Sequence, residues 1–244
     1  MKPVQFLSNS AQIDNIIKGL TLTKSLFVSS LLHGEAFTGK KTLIKSLFPQ
    51  SIYIDANNKT ELELALENSN ELIIYNFEKL INFENINFEN RRIIAIANHI
   101  ENTSKIEKKF AFIYKMPSLN EREDLNLLIE FFQDKTQKEL MLDYPIELNI
   151  ETLDLSKNIK SLKASLYKQL LYKTINQEDI KEILYNYLFE NMEGNNAYRE
   201  FLGLYEEPLI EAGLKKYKSQ LKLAQVLGLN RNTLRKKIQE HGLD

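Results

Sequence analysis

The stretch LFVSSLLHGEAFTGKKTLIKSLF, Leu26 to Phe48, sets an apolar run, a glycine-bounded loop and an amphipathic run in direct succession. That order is the strand, loop and helix context that a phosphate-binding P-loop requires. Gly34 and Gly39 allow the tight turn and the close approach of backbone N–H groups to phosphate, with Thr38 between them. Lys40 stands where an ammonium meets the outer phosphate oxygens. The eighth position holds Lys41, where many P-loops carry Ser or Thr for magnesium, so by itself the loop is either a working cradle or a vestigial one.

Working outward, the first half of the chain alternates helical and strand-like runs. Helices are expected over 13–20, 41–48 and 60–66, and strands over 26–32, 51–54, 71–75, 92–97 and 110–114, the rhythm of a five-stranded parallel sheet. From Asn120 the strand signal ends and apolar residues recur at helical spacing, first through Leu125, Leu128, Ile129 and Phe132, then through Ile159, Leu162, Leu166 and Leu170. Further helices are expected over 178–191, 196–217, 221–227 and 230–241.

Composition limits the possibilities. The chain has 244 residues, 32 Lys and Arg, 33 Asp and Glu, and a 43% hydrophobic share, ordinary for a folded protein. No apolar run approaches the roughly 18 residues of a membrane helix, and Met1 to Gln5 does not open a secretory signal; a cytoplasmic protein without membrane contact is expected. There is no cysteine, and three well-separated histidines suggest no metal cluster. The near-neutral charge is uneven: from Lys218 onward six basic residues face two acidic ones, which is where a polyanionic partner belongs.

That tail, KSQLKLAQVLGLNRNTLRKKIQEHGL from Lys218 to Leu243, has the pattern of a helix-turn-helix. Ala224 is small enough for a second helix to cross closely, and Gly228, four positions on, makes the turn. Leu223, Val226 and Leu227 form the inner face of the first helix; Leu234 and Ile238 bury the second. With those two inward, Asn232, Arg235, Lys236 and Gln239 fall on the outer arc, flanked by Arg231, Thr233 and Lys237. Asn230 suits the N-cap and Gly242 the position after the helix end. A merely solvated charged helix explains neither the Ala/Gly spacing nor the lack of acids from Asn230 to Gln239.

Residues from about Tyr198 to Leu243, with Glu207-Pro208-Leu209, Ala224, Gly228 and NRNTLRKK from Asn230, resemble the Fis-type DNA-binding domain that ends NtrC-type transcription activators. The resemblance implies a homodimer on double-stranded DNA, paired through the helix ahead of the motif, with Leu204, Leu209, Ala212 and Leu214 on the seam. Pro208 either bends that helix or starts a new one. The implied DNA-binding set is Ser219, Gln220, Asn230, Arg231, Asn232, Thr233, Arg235 and Lys236. The N-terminal part resembles the AAA+ domain of the same activators, whose loop reads like GESGTGKE. Arg92 to Asn98 is similar to its sensor I strand with Asn98 at the polar position, Pro117 to Asp124 to its LPPLRERxED stretch, and Asn158 to Leu162 to its GNVREL, with Lys160 at the sensor II arginine. The resemblance implies nucleotide binding through Gly34, Thr38, Gly39, Lys40, Lys41, Asn98 and Lys160.

Departures qualify it. Tyr75 and Asn76 stand where the family has the Asp and Glu that hold magnesium and orient water, and Glu78 reaches the site only if the register slips. There is no GAFTGA loop for sigma-54 and no arginine in the finger region 104–110, and no receiver domain is expected ahead of the AAA-like part. The expectation is therefore an α/β P-loop AAA+-like parallel sheet core (1–118) with a helical lid (119–174), followed by an all-α linker and Fis-type helix-turn-helix domain (175–244). The expected function is a bacterial DNA-binding regulator holding ATP or ADP without hydrolysis, with no catalytic or metal residues. The alternatives are a working AAA+ ATPase acting on DNA or RNA polymerase, and a scaffold binding RNA polymerase or another regulator.

Overall fold

The computed structural model describes residues 5–80, 83–101 and 103–243; residues 1–4, part of the stretch weighed as a secretory signal, lie outside them. The chain forms two compact units, 1–174 and 175–244.

The first unit opens with α1 (Ala11–Leu26), which buries Ile13, Ile16 and Leu20 on one face. The expected strand from Leu26 is corrected here, because the helix runs through Leu26 and β1 spans only Ser30–His33. Leu26 and Phe27 are exposed and carry no core signal. Phe27 takes a left-handed conformation, φ 50°, whose N–H closes the last turn on the Thr23 carbonyl. Ser29 then bridges to Arg91 O and Ile93 N at 3.1 and 2.9 Å, so strand pairing starts one residue later.

Strands β1, β2 (Tyr53–Asp55), β3 (Glu71–Tyr75), β4 (Arg92–Ala97) and β5 (Phe112–Lys115) form a parallel sheet in the order β2-β3-β4-β1-β5. Side chains alternate between its faces, as a period of two requires. Leu31, Ile74, Ile93 and Ala95 join one core with Leu62, Phe77 and Phe110. Leu32, Ile73, Ile94 and Ile96 join the other with Ile13, Leu20 and residues of α2 (Lys40–Leu47). Both sides of the sheet are therefore covered, with β1 and its following loop near the middle.

Helices α3 (Lys59–Asn68) and α4 (Thr103–Glu107) complete the sheet layer. Beyond it, α5 (Leu125–Glu139) and α6 (Ile159–Thr174) pack Leu128, Ile129, Phe132, Leu162 and Leu166 against Leu119, forming the lid's own core.

The second unit contains α7 (Gln177–Asn191), α8 (Ala197–Tyr217), α9 (Gln220–Leu227) and α10 (Arg231–Glu240). Ile210, Leu223, Ala224, Leu234 and Ile238 form its core. Pro208 lies inside α8, where it cannot donate to the Leu204 carbonyl. One expectation fails. Val226 is 53% exposed, since Leu223, Ala224 and Leu227 define the buried arc and Val226 falls about 100° from its centre. Leu214, expected on the dimer seam, is partly buried against the unit's own core.

The close crossing of α8 and α9 rests on Gly213, a residue the sequence pattern did not single out. A Cβ there would lie 2.3 Å from Leu223 Cδ1 and 3.1 Å from Cδ2. Gly213→Val should therefore destabilise the second unit by about 1–3 kcal/mol, from overpacking. Urea denaturation of the full chain, followed by circular dichroism, measures this; an unchanged midpoint contradicts the packing argument.

Candidate functional site

The loop between β1 and α2 is fixed by where its carbonyls find donors. Lys40 Nζ donates to Gly34 O at 2.6 Å and to Glu35 O at 2.5 Å. Asn158 Nδ2 donates to Ala36 O at 3.1 Å, the Ile159 N–H to Phe37 O at 3.2 Å, and Arg122 Nη1 to Thr38 O at 3.2 Å. Five successive carbonyls are thus satisfied, three of them from the lid. Gly34, at φ 142°, is forced twice over: its backbone conformation favours glycine, and a Cβ would sit 2.4 Å from Met116 O. The helix that follows begins at Lys40, with Gly39 as an N-cap that offers no side chain, leaving its first-turn N–H groups as the open donors.

These donors face a cavity of about 550 Å³ lined by Gly39, Lys40, Lys41, Asn98 and Lys160, all expected from the sequence to bind nucleotide, by Asn76, which the sequence placed where the family has its glutamate, and by Lys163, which the sequence did not single out. Thr38 does not line it; the side chain is buried and donates to Glu35 O at 3.0 Å. Lys40 Nζ also lies 3.4 Å from both Thr38 Oγ1 and Asn98 Oδ1. Burial lowers the Lys40 ammonium to about 8; the charges of Glu78 and Glu35 hold it up and that of Lys41 lowers it further.

Glu78 corrects the sequence reading in part: without any slip of register it reaches Asn98 at the edge of the site, although it does not line the cavity. Asn76 turns left-handed at φ 57°, and the single 3-10 turn that follows, Phe77–Lys79, carries the Glu78 carboxylate to Asn98. Oε1 accepts from Asn98 Nδ2 at 2.7 Å and Oε2 from the Asn98 N–H at 3.2 Å. Asn76 itself donates to both Asp55 oxygens at 3.0 Å. Burial raises the Asp55 carboxyl, but hydrogen bonds from Asn57 and Asn76 and the charge of Lys41 outweigh it and hold the group below the usual carboxylate range.

Arg122 and Asp124, both within the stretch likened to LPPLRERxED, form a fully buried bidentate pair at 2.6 and 2.7 Å. Two residues apart and joined to Thr38 O, they fix the lid's base to the loop. Their short spacing gave no sign of this, because the third partner is a backbone carbonyl 84 positions away.

In the second unit, Asn230 caps α10 by accepting from the Asn232 N–H at 2.9 Å, and Ser219 caps α9 by accepting from the Lys222 N–H at 3.3 Å. Gln220, Arg231, Asn232, Thr233, Arg235 and Lys236 are exposed; Lys236 lies 3.6 Å from Glu240. Lys237 departs from its expected flank. Its Nζ meets Glu206 Oε1 at 2.5 Å, and His241 Nε2 lies 3.6 Å from the other oxygen. The Lys237 hydrogen bond, against partial burial and with help from His241, holds Glu206 below the usual carboxylate range. This cluster ties α10 to α8.

Taken together, the fold and sites define a P-loop α/β unit with an AAA+-like fold followed by a helix-turn-helix. Residues 201–241 match the family described as bacterial regulatory protein, Fis family. DNA-binding protein Fis of Proteus mirabilis is 33% identical over 72 residues, 28% of this chain and 72% of that protein. A putative Fis-like DNA-binding protein of Ralstonia nicotianae is 46% identical over 50 residues, 20% of this chain and 65% of that protein. The chain belongs to the Fis family through its C-terminal unit. Over 98% of its length it also superposes on NtrX of Brucella abortus in complex with ATP, covering 69% of that chain with a TM-score of 0.52 at 14% identity. The ADP complex gives 0.52 at 13%, with the same coverage; this likeness is one of fold. Among the described residues no helix is long and apolar enough to cross a membrane.

Lys40 supplies a pH test. Its folded pKa of about 8 lies below the unfolded 10.5, so between those values the unfolded chain binds more protons and this residue makes stability rise with pH. The stability of the wild type relative to Lys40→Met should improve from pH 7 to pH 10, by at most on the order of 3 kcal/mol. Urea titrations of both proteins across that range read the difference; a gap independent of pH contradicts the buried ammonium.

Proposed function

We propose that the protein is a sequence-specific, dimeric DNA-binding regulator whose P-loop unit holds a nucleotide without turning it over. The observation that carries the reading is the outer face of α10. Arg231 and Arg235 have no ion-pair partner among the described residues, and no acid lies between Asn230 and Gln239. Such a face neutralises phosphates and reaches base edges together. Asn232 and Arg235 read bases; Arg231, Thr233 and Lys236, with Ser219 and Gln220 at the start of α9, hold the backbone. Dimerisation is supported by α7, which buries no residue and exposes Ile180, Ile183, Leu184 and Tyr187 at the i, i+3, i+4, i+7 spacing of one helical stripe. Leu204 and Leu209 of α8 are exposed as well.

Replacing Arg235 with alanine should cost about 1–3 kcal/mol on a mapped site and blunt discrimination between sites. Removing Lys236 should weaken all sequences alike and flatten the salt dependence. Fluorescence anisotropy at several salt concentrations separates the two effects. Unchanged affinity in a folded Arg235→Ala protein sinks the assignment.

Loss of hydrolysis is supported at the end of β3. Tyr75 offers no carboxylate and its ring lies 3.9 Å from Lys41 Nζ, while the Asn76 amide is spent on Asp55. A second reading is favoured by one contact only: the Glu78 carboxylate on Asn98, beside Lys40, stands where a base can orient water. Phosphate release from ATP decides between them. Background rates are expected; turnover near about one per second that disappears in Lys40→Ala and in Glu78→Gln establishes the second reading.

A further inference from the structure

Fold class implies magnesium beside a P-loop nucleotide, and the residues present do not fit that ion. Magnesium is held by carboxylate or hydroxyl oxygens and bridges phosphates. No carboxylate lines the cavity, and Thr42 brings its one hydroxyl, a single oxygen against four ammonium groups. The eighth loop position is Lys41, its ammonium lying over Tyr75 at the position where a metal-holding acid belongs. Among the described residues no group of three His, Asp or Glu suited to a metal exists.

What the cavity has instead is positive charge. Lys40, Lys41, Lys160 and Lys163 all line it. The last three share a feature: each ammonium rests over an aromatic ring, Lys41 over Tyr75 at 3.9 Å, Lys160 over Phe37 at 5.1 Å and Lys163 over Phe132 at 4.7 Å. None of the three makes an ion pair among the described residues. A ring face attracts a cation through its quadrupole and carries no net charge, so these ammonium groups are positioned without being neutralised. Four like charges around one hollow repel each other unless an anion joins them.

A second cavity of about 370 Å³ adjoins the first, sharing Gly39, Thr42, Ile159 and Lys163. Phe6, Leu7, Leu128, Phe131 and Phe132 give it apolar and aromatic walls, beside the polar side chains of Gln5, Arg122 and Lys135. Such walls stack or enclose a planar base, which free polyphosphate lacks.

We propose that these joined cavities take a nucleoside polyphosphate free of divalent cation, with Lys41, Lys160 and Lys163 supplying the counter-charge that a metal supplies in P-loop enzymes. Magnesium then competes with the protein for the phosphates instead of bridging them. The inference rests on the nucleotide-holding reading above and specifies the ionic form of the ligand.

The test is equilibrium binding of ATP to the full chain by isothermal titration calorimetry, in excess EDTA and in excess magnesium. Affinity in EDTA is expected to equal or exceed that in magnesium by several-fold. Lys41→Ser, a change at an exposed residue, should lower the EDTA affinity roughly tenfold while leaving the melting temperature of the free protein unchanged. Binding more than tenfold weaker in EDTA than in magnesium overturns the metal-free site yet keeps the nucleotide reading. No binding in either arm, by a protein that still melts cooperatively, overturns the nucleotide reading itself. Inorganic tripolyphosphate displacing ATP with equal affinity overturns the role given to the aromatic cavity.

Discussion

Five backbone carbonyls in a row, Gly34 to Thr38, point at donors instead of at solvent, and the rest of the first unit is arranged around that requirement. A buried carbonyl left without a donor costs on the order of 1–3 kcal/mol. The loop therefore keeps its shape only while Lys40, Asn158, Ile159 and Arg122 remain in place. Asn158 is bound in turn: its Oδ1 accepts from the Leu119 N–H at 2.7 Å and its Nδ2 also donates to Glu35 Oε2 at 2.9 Å. One asparagine thus joins the loop, the first residue of the lid and the start of α6.

The consequence for function is that cradle and lid are one mechanical piece. Any ligand that displaces Lys40 from the loop carbonyls, or moves the loop, acts directly on Arg122 and Asn158 and hence on the lid core around Leu119 and Leu162. The electrostatics favour an anion as that ligand. Lys40 is depressed by burial, and Lys163 is lowered by burial and by Lys135. Both are cations in surroundings that negative charge improves.

The second unit divides its charges between two tasks. Lys237 and His241 close on Glu206, so the inner side of α10 is held to α8 by a half-buried cluster as well as by Leu234 and Ile238. Arg231, Asn232, Thr233 and Arg235 remain outside. A basic run of four charges in ten residues looks uniform in sequence; only the packing distinguishes the lysine that supports the helix from the arginines available to a polyanion. The same holds for the apolar residues of α7, whose stripe is exposed among the described residues.

Periodicity and glycine spacing determined much of this by themselves. The alternating β runs, the Gly34 to Lys41 loop, the Ala224 and Gly228 turn and the Asn230 cap follow from local chemistry, because each depends on neighbours a few residues away. Sequence also showed the neutral pair Tyr75 and Asn76 at the strand end. Tertiary structure alone decided what depends on long-range contact: that Leu26 ends a helix, that Gly213 sets a helix crossing, that Val226 faces out and Leu214 in, that Lys163 joins the cavity. It also brought Glu78 to Asn98 through a left-handed turn, and Arg122 to a carbonyl far back along the chain. Those placements follow from the packing of whole elements and from the need of buried polar groups for partners, neither of which any local window of residues contains.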